Sequence, residues 1–276
     1  MMSDPAEASV FFVGNATTVI RCMDFTVLTD PSFLHRGQRA YLGWGISTRR
    51  RTNPAIGIAQ LPPLDAVVLS HLHGDHWDRY ATEGLDQSLP IITTPQAATW
   101  LRRKGFRNAT GLHTWQNSIL RHGDSTLRIT ALPGRHAPPA ARMLVPPVMG
   151  SMLQFGRDGD VRLRMHISGD TLLYDRLAEI PQRFPEIDVA LVHLGGTTIL
   201  GVLMTTMDGD QGARWVRLMG ADVNLPIHYD DYDAFASGLD DFREHVDMLG
   251  LSDRVRYIAR GETFHVLGHP AGYGAY

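Results

Sequence analysis

Short apolar runs and alternating apolar and polar positions recur along the chain and predict many β-strands. Residues 10–31 alternate, are rich in Val, Phe and Thr, and are interrupted twice by turn residues, which predicts consecutive strands. Two nearly continuous apolar runs, at 64–70 and 188–193, are typical of strands that are buried on both faces. The Gly-, Arg- and Pro-rich segment from Pro31 to about Pro63 is predicted to be a long loop.

Helical signals alternate with further strand signals in the rest of the chain. The clearest predicted helix has Pro95 near its start and Gly105 at its end, and a second ends at Gly220. The predicted helices cover 94–105, 207–220 and 242–250, and the further predicted strands cover 90–93, 125–134, 161–170, 221–229, 255–260 and 263–267. Since no short repeat or low-complexity linker interrupts the chain, we predict one α/β domain over residues 1–276. Each half would supply one sheet, with helices outside.

The composition restricts the classes of function. Hydrophobic residues make up 43% and charged residues 20%, which is typical of a globular protein, and the net charge of -3 lacks the basic excess of nucleic-acid-binding proteins. We therefore expect no nucleic-acid partner, and interpret the run Arg49–Arg51 as a solvated loop. The single cysteine, Cys22, excludes an internal disulfide and a cysteine-based zinc site and favours a reducing, cytoplasmic setting. We find no signal-peptide pattern and no apolar run long enough for a transmembrane segment.

The segment HLHGDH, which follows the first buried run, carries the strongest chemical signal. Side chains two residues apart in an extended segment point the same way, so His71 and His73 can face one ion. Gly74 allows a sharp turn, after which Asp75 and His76 can face a second position nearby. Imidazole and carboxylate suit zinc, and also manganese or iron. The spacing therefore predicts a metal site.

These residues carry a resemblance to the metallo-β-lactamase superfamily. Further segments resemble the branch that contains ascorbate-6-phosphate lactonases and phospholipase-D-type N-acyl-phosphatidylethanolamine hydrolases. The resemblance covers nearly the whole chain and rests on 13–33 and 64–76 and on three later segments that occur in the expected order, 131–139, 167–171 and 224–232. It implies an αββα sandwich of two mixed β-sheets with helices on the outer faces. One departure is Asn15, at a position where such relatives often carry His.

The resemblance also implies the remaining ligands of a two-metal centre. His136 would complete a first site with His71 and His73, His228 would complete a second site with Asp75 and His76, and Asp170 would bridge both ions. Without the resemblance, an isolated His in such a loop is more often a surface residue. Asp30, at the end of an early strand, is a candidate to orient a ligand His, and a turn residue is the equal alternative.

The implied activity is that of a metal-dependent hydrolase of the lactonase or phosphodiesterase type. A hydroxide held between two divalent ions, Zn²⁺ in the first instance with Mn²⁺ or iron as alternatives, would attack an ester, lactone or phosphodiester. Asp75 would act as a ligand and as the acceptor of the water's hydrogen bond. Arg135, His193 and Tyr229 are candidates to contact a small, anionic substrate. The loop at 31–63 is a candidate lid.

Two other classes of function remain open at this point. An iron oxidoreductase could use the same scaffold, although the di-iron relatives usually have Glu at the position of His73. A non-catalytic binding module is the third interpretation, and the completeness of the implied ligand set argues against it. The sequence is compatible with a homo-oligomer.

Overall fold

The computed structural model describes residues 8–199 and 203–266. It contains all the predicted helices and all the predicted strands except the one at 255–260. The strands are β1 Ala8–Gly14, β2 Thr17–Cys22, β3 Phe25–Thr29, β4 Arg39–Gly43, β5 Ile46–Arg49, β6 Ala66–Val68, β7 Ile91–Thr93, β8 Ala109–Gly111, β9 Asn117–His122, β10 Ser125–Leu132, β11 Gly150–Arg157, β12 Asp160–Ile167, β13 Val189–His193, β14 Thr198–Ile199, β15 Leu203–Met204, β16 Val223–Ile227 and β17 Thr263–Val266. The helices are α1 Arg79–Gly84, α2 Pro95–Arg103, α3 Glu179–Arg183, α4 Gly209–Met219 and α5 Leu239–Met248, with 3-10 turns at Ile58–Gln60, Pro139–Leu144, Asp175–Ala178 and Ser252–Arg254.

Two large sheets hold most of these strands. The first has the order β17-β1-β2-β3-β6-β7-β8, and the second has the order β16-β13-β12-β11-β10-β9. Each sheet is mixed. The pairs β3–β6, β6–β7 and β7–β8 in the first sheet and β12–β13 and β13–β16 in the second are parallel, whereas the other pairs are antiparallel. The strands β1, β3 and β6 run in one direction in the first sheet, and β10, β12, β13 and β16 do so in the second.

Three apolar clusters show how the layers are stacked. The central cluster joins the sheets, with Phe12 from the first sheet and Phe155 from the second among its members. A second cluster packs α3, α4 and α5 onto the second sheet around Trp215. A third packs α1 and α2 onto the first sheet around Leu101. Burying one such side chain contributes about 1.5–3 kcal/mol relative to leaving it exposed. The predicted αββα sandwich is confirmed.

The helix boundaries follow the predicted signals. Thr94 caps α2 by accepting a hydrogen bond from the Ala97 N–H, and Pro95 is the first residue of the helix. Asp208 caps α4 in the same way, and Gly220 ends that helix in the left-handed conformation. In each helix the capping side chain thus pairs one amide group of the first turn.

The strand predicted at 255–260 is wrong. This segment makes one isolated bridge, between Val255 and Asn224, at the edge of the second sheet. Val255 packs in the outer cluster, whereas Ile258 packs in the central cluster. Because the chain passes here from one face of the sheet to the other, it cannot continue a ladder along β16.

The segment at 31–63 is more ordered than the predicted loop. It contains the hairpin β4–β5, which lies directly on the HLHGDH turn: the Gly74 N–H donates to the Tyr41 carbonyl at 2.9 Å. A Cβ on Gly74 would lie 2.6 Å from the Tyr41 nitrogen. The φ angle of Gly74 is not positive, so its backbone is open to other residue types. Close packing of the hairpin, not the predicted sharp turn, therefore requires glycine there.

The arginine run in this segment is only partly solvated. Arg49 and Arg51 are exposed, as predicted for a solvated loop, but Arg50 is fully buried. Its guanidinium donates to Ser32 and lies 3.5 Å from a carboxylate oxygen of Asp231. A buried acceptor distant in sequence thus turns the middle arginine inward, which a charge run by itself does not reveal.

Candidate metal centre

The candidate ligands lie where strands of both sheets end. His71 to His76 follow β6, His136 follows β10, Asp170 follows β12 and His228 follows β16. Because these strands run in the same direction within each sheet, their carboxyl ends meet at one edge of the sandwich. All seven side chains, His71, His73, Asp75, His76, His136, Asp170 and His228, are buried there.

Three imidazoles form the first half of the centre. His73 Nδ1 lies 3.0 Å from His71 Nε2 and 3.1 Å from His136 Nε2. The other nitrogen of His136, Nδ1, contacts the Thr205 carbonyl oxygen at 2.9 Å, so it carries the proton and leaves Nε2 as a lone pair. His71 Nδ1 lies 3.0 Å from the Ser70 hydroxyl, and its Nε2 faces His73. Three ring nitrogens therefore point at one small volume.

These three histidines are neutral at ordinary pH. Burial, aided by neighbouring histidines, lowers the pKa of His71 well below its usual value, and burial with His136 lowers the pKa of His73 to about 3. Burial likewise lowers the pKa of His136. A proton on His73 Nδ1 could form a hydrogen bond with His71 Nε2 or with His136 Nε2, but not with both. A cation could accept the lone pairs of all three nitrogens.

Two imidazoles and a carboxylate form the second half. His228 Nε2 lies 3.2 Å from His76 Nε2 and 3.4 Å from Asp75 Oδ2. His228 Nδ1 contacts the Leu194 carbonyl oxygen at 3.0 Å, which again leaves Nε2 free to bind. The backbone of His228 has a φ of 63°, an uncommon conformation for a residue other than glycine.

Nearby carboxylates favour the protonated form of the two histidines in this second half, in contrast to the neutral histidines of the first half. Burial acts to lower the pKa of His76, but the carboxylates of Asp170, Asp75 and Asp30 outweigh it and raise that pKa well above its usual value. Burial is also outweighed at His228, whose pKa is raised by Asp170 and Asp75. At Asp75, burial opposes ionisation, yet His76 and His228 lower the pKa to about 2. This half is therefore an arrangement of charged groups.

Asp170 lies between the two halves. Its Oδ2 is 3.3 Å from His76 Nε2 and accepts a hydrogen bond from the Thr206 hydroxyl at 3.0 Å, while its Oδ1 is 3.7 Å from His228 Nε2. Asp170 also groups with His71 and His76 as a potential set of ligands. Burial opposes ionisation, but His228 and His76 lower its pKa well below the usual range.

Asp30 and His193 lie behind the second half. Asp30 Oδ2 is 3.2 Å from His76 Nδ1 and 3.4 Å from His193 Nε2, and Oδ1 accepts from the Ser70 N–H at 2.6 Å. Asp30 is thus placed to orient His76, as its sequence position suggested. His193, a candidate for substrate contact, is fully buried beside Ser168 and stacks on His76, so its position suits support of the ligands better.

The other two candidates for substrate contact lie apart from the ligands. The guanidinium of Arg135, next to His136, is 4.0 Å from the centre of the Tyr174 ring. Tyr229 is half-buried and packs against the outer cluster of the second sheet; burial and Asp230 raise its pKa to about 12. Among the described residues, neither side chain forms a hydrogen bond or an ion pair with a candidate ligand.

Several supporting groups have no signal in the sequence. Thr205 and Leu194 act through their carbonyl oxygens, and Thr206 through its hydroxyl. Only Ser70, which directly precedes HLHGDH, could have been found by its position in the motif. Main-chain acceptors can be recognised only once the chain is folded.

The residues fit a pair of divalent cations. Nitrogen ligands about 2.1 Å from a tetrahedral ion lie roughly 3.4 Å apart, close to the spacing in the first half. Asp75 Oδ1 and Asp170 Oδ1 are buried without hydrogen-bond partners. Buried polar atoms normally have partners, so these two carboxylate oxygens suit the binding of cations.

The fold and this cluster define a metallo-β-lactamase-like protein, and the comparisons agree. The family model of the β-lactamase superfamily domain matches residues 26–229, and the chain belongs to this family. A relative from Deinococcus radiodurans, named UPF0173 metal-dependent hydrolase, is 28% identical over 201 residues, which cover 72% of this chain and 78% of the relative.

Two solved structures share the fold. Isothiocyanate hydrolase from Delia radicum gut bacteria has a TM-score of 0.77 and 21% identity, covering 93% of this chain and 98% of that chain. CmlA, a diiron β-hydroxylase from Streptomyces venezuelae, has a TM-score of 0.65 and 16% identity, covering 95% of this chain and 54% of that chain. The same scaffold thus occurs in proteins of different reaction class. Within the described residues, no helix is long and apolar enough to cross a membrane.

Proposed function

We propose that this protein is a metal-dependent hydrolase that uses two divalent ions, Zn²⁺ in the first instance, to hydrolyse a small ester, lactone or phosphodiester. The observation that carries the proposal is the buried convergence of seven imidazole and carboxylate side chains from four separate segments of the chain. The name of the Deinococcus relative supports the same class of reaction. Because the centre draws on both sheets, we also propose that residues 1–276 act as one domain.

Each half of the centre would hold one ion. His71, His73 and His136 would bind the first, Asp75, His76 and His228 would bind the second, and Asp170 would contact both. When bound, such ions polarise a substrate oxygen and lower the pKa of water towards neutrality. Thr205, Leu194 and Asp30 keep the imidazoles oriented through their second nitrogens.

Asp75 is the proposed acceptor of a hydrogen bond from the attacking water. Its Oδ2 is directed at His76 and His228, whereas its Oδ1 is buried without a partner. With its pKa lowered to about 2, the carboxylate is ionised at neutral pH and can accept a hydrogen bond from the attacking water at Oδ1.

A cysteine nucleophile is a poor alternative. Cys22 lies at the end of β2 and belongs to the central cluster between the sheets. Burial, with a smaller contribution from Asp188, raises the pKa of its thiol to about 12. The thiol is therefore protonated and enclosed at neutral pH, whereas nucleophilic cysteines are exposed thiolates.

Substrate contacts are proposed at two places beside the centre. The guanidinium of Arg135, held against Tyr174, would meet an anionic group. The hairpin β4–β5 would cover the centre as a lid: it packs on Gly74, and Trp44 at its tip is 73% exposed and donates to the Leu144 carbonyl. Tyr229 and His193 remain weaker candidates, because the first packs on the outer cluster and the second is enclosed.

The test measures metal content and turnover together. Elemental analysis and visible absorbance of the purified protein identify the metal, and the chelated protein is then reloaded with zinc or manganese. A panel of esters, lactones, phosphodiesters and an isothiocyanate is assayed in each state. We expect two ions per chain and hydrolysis that requires them. Bound iron with visible absorbance and no hydrolysis would favour an oxidoreductase instead, and protein that binds no divalent ion would refute the proposal.

A further inference from the structure

Asn15 directly follows β1 and lies in space between Asp75 and His228, two candidate ligands of the second half of the centre. It is fully buried, and its backbone has a φ of 55°. Its side-chain Nδ2 donates to the Asp75 carbonyl oxygen at 2.8 Å, and its own carbonyl oxygen accepts from the His228 N–H at 3.0 Å. One residue thus holds the main chains of two candidate ligands.

We infer that Asn15 is a positioning residue for the second metal ion. It touches no candidate ligand atom, so it acts through Asp75 and His228. These two residues are distant in sequence, and their own side chains approach only to 3.4 Å. The two hydrogen bonds of Asn15 therefore set how far apart the aspartate and the histidine lie before an ion binds.

Asn15 is itself fixed by a charged network. Its N–H donates to Asp231 Oδ2 at 2.7 Å, and Asp231 is paired with Arg50 and Arg260. Burial opposes ionisation of Asp231, but the two arginines lower its pKa, so the acceptor is a carboxylate. A charged acceptor strengthens this hydrogen bond and stabilises the uncommon backbone conformation of Asn15.

The influence of Asn15 is confined to one half of the centre. The first half is held by other groups: the Ser70 hydroxyl holds His71, and the Thr205 carbonyl holds His136. A role limited to general stability would affect both ions alike. Loss of the Asn15 amide should instead weaken the second ion selectively.

The test rests on the proposed two-metal function and uses Asn15→Gly. Glycine tolerates positive φ and keeps both main-chain hydrogen bonds, so only the amide is lost. Zinc affinity is measured for each equivalent by competition with a chelator, and the absorption spectrum is followed during Co²⁺ titration. We expect the second equivalent to bind about 10–100-fold more weakly, the usual effect of losing a partner of a ligand. The first equivalent should bind as in the wild type.

Asn224→Gly is the matched control. Asn224 is also fully buried and also donates through Nδ2 to main-chain carbonyls, those of Ala221 and Arg254, away from the ligands. We expect this variant to have a lower Tm and unchanged affinity for both equivalents. Should Asn15→Gly not fold, Asn15→Ser, whose hydroxyl is too short to reach the Asp75 carbonyl, provides the same comparison.

The outcomes separate the inference from the proposed function. Wild-type affinity for the second equivalent in Asn15→Gly, or equal weakening of both equivalents, would overturn the inference. A wild-type protein that binds only one ion would contradict the two-metal function. In that case, a lower affinity of Asn15→Gly for that single ion would support the positioning role of Asn15. An unchanged affinity would overturn it.

Discussion

The two halves of the candidate centre use similar residues in opposite electrostatic states. His71, His73 and His136 are neutral, are held by uncharged groups, and present lone pairs to one another at 3.0–3.1 Å. The second half places His76 and His228 among carboxylates, which raise the pKa values of both. The first half therefore needs a cation to satisfy its lone pairs, whereas the second can hold protons until a metal displaces them. Burial alone does not decide the charge of a histidine; its neighbours do.

His73→Ala should have the largest effect. It removes the nitrogen that both other imidazoles of the first half approach. We expect the variant to stay soluble but to lose bound metal. Its turnover should fall by more than the about 10–100-fold that is typical when a residue supporting a ligand is lost. Elemental analysis and activity measurements check this, with exposed His113→Ala as control. Wild-type metal content in His73→Ala would show that the first half does not bind metal.

Asp170→Asn should weaken the connection between the halves. The amide keeps the shape of the side chain and its contact with Thr206 but loses the charge shared by His76 and His228. We expect the metal content to fall from two ions towards one, measured by elemental analysis after dialysis. Retention of two ions would contradict the bridging role.

Asp30→Asn should act on the second half alone. Asp30 supports His76 from behind and contacts no ligand of the first half. We expect about 10–100-fold weaker binding of the second equivalent and an unchanged first equivalent. Asp24→Asn, an exposed carboxylate before the opposite end of the same strand β3, is the control and should match the wild type.

Proton release should give the smallest signal and separate the halves directly. Near pH 7, ions that enter the first half meet histidines whose pKa values are lowered, so no proton leaves. Ions that enter the second half meet histidines with raised pKa values, which must lose protons. Calorimetric titration in two buffers with different ionisation enthalpies should show release for one equivalent only. Release should disappear as the pH rises above those raised pKa values; equal release for both equivalents would contradict the comparison.

The sequence determined the local features of this protein. Apolar alternation placed β1 to β3, the capping residues placed the ends of α2 and α4, and HLHGDH marked the candidate centre. These features depend on contacts between residues close along the chain, where the periodicity of a strand or a helix links position to direction. For this reason the spacing of His71 and His73 could be interpreted without a structure.

Only the tertiary structure decided which distant groups meet. His136, Asp170 and His228 were indicated by resemblance, and nothing in their local sequence required them to converge. The inward turn of Arg50 and the enclosure of His193 likewise depend on partners from other parts of the chain. The charge of His76 is a further case, because the carboxylates of Asp170 and Asp30, from two other loops, raise its pKa together with that of the adjacent Asp75. Electrostatic and packing energies depend on distance in space, which sequence order does not specify.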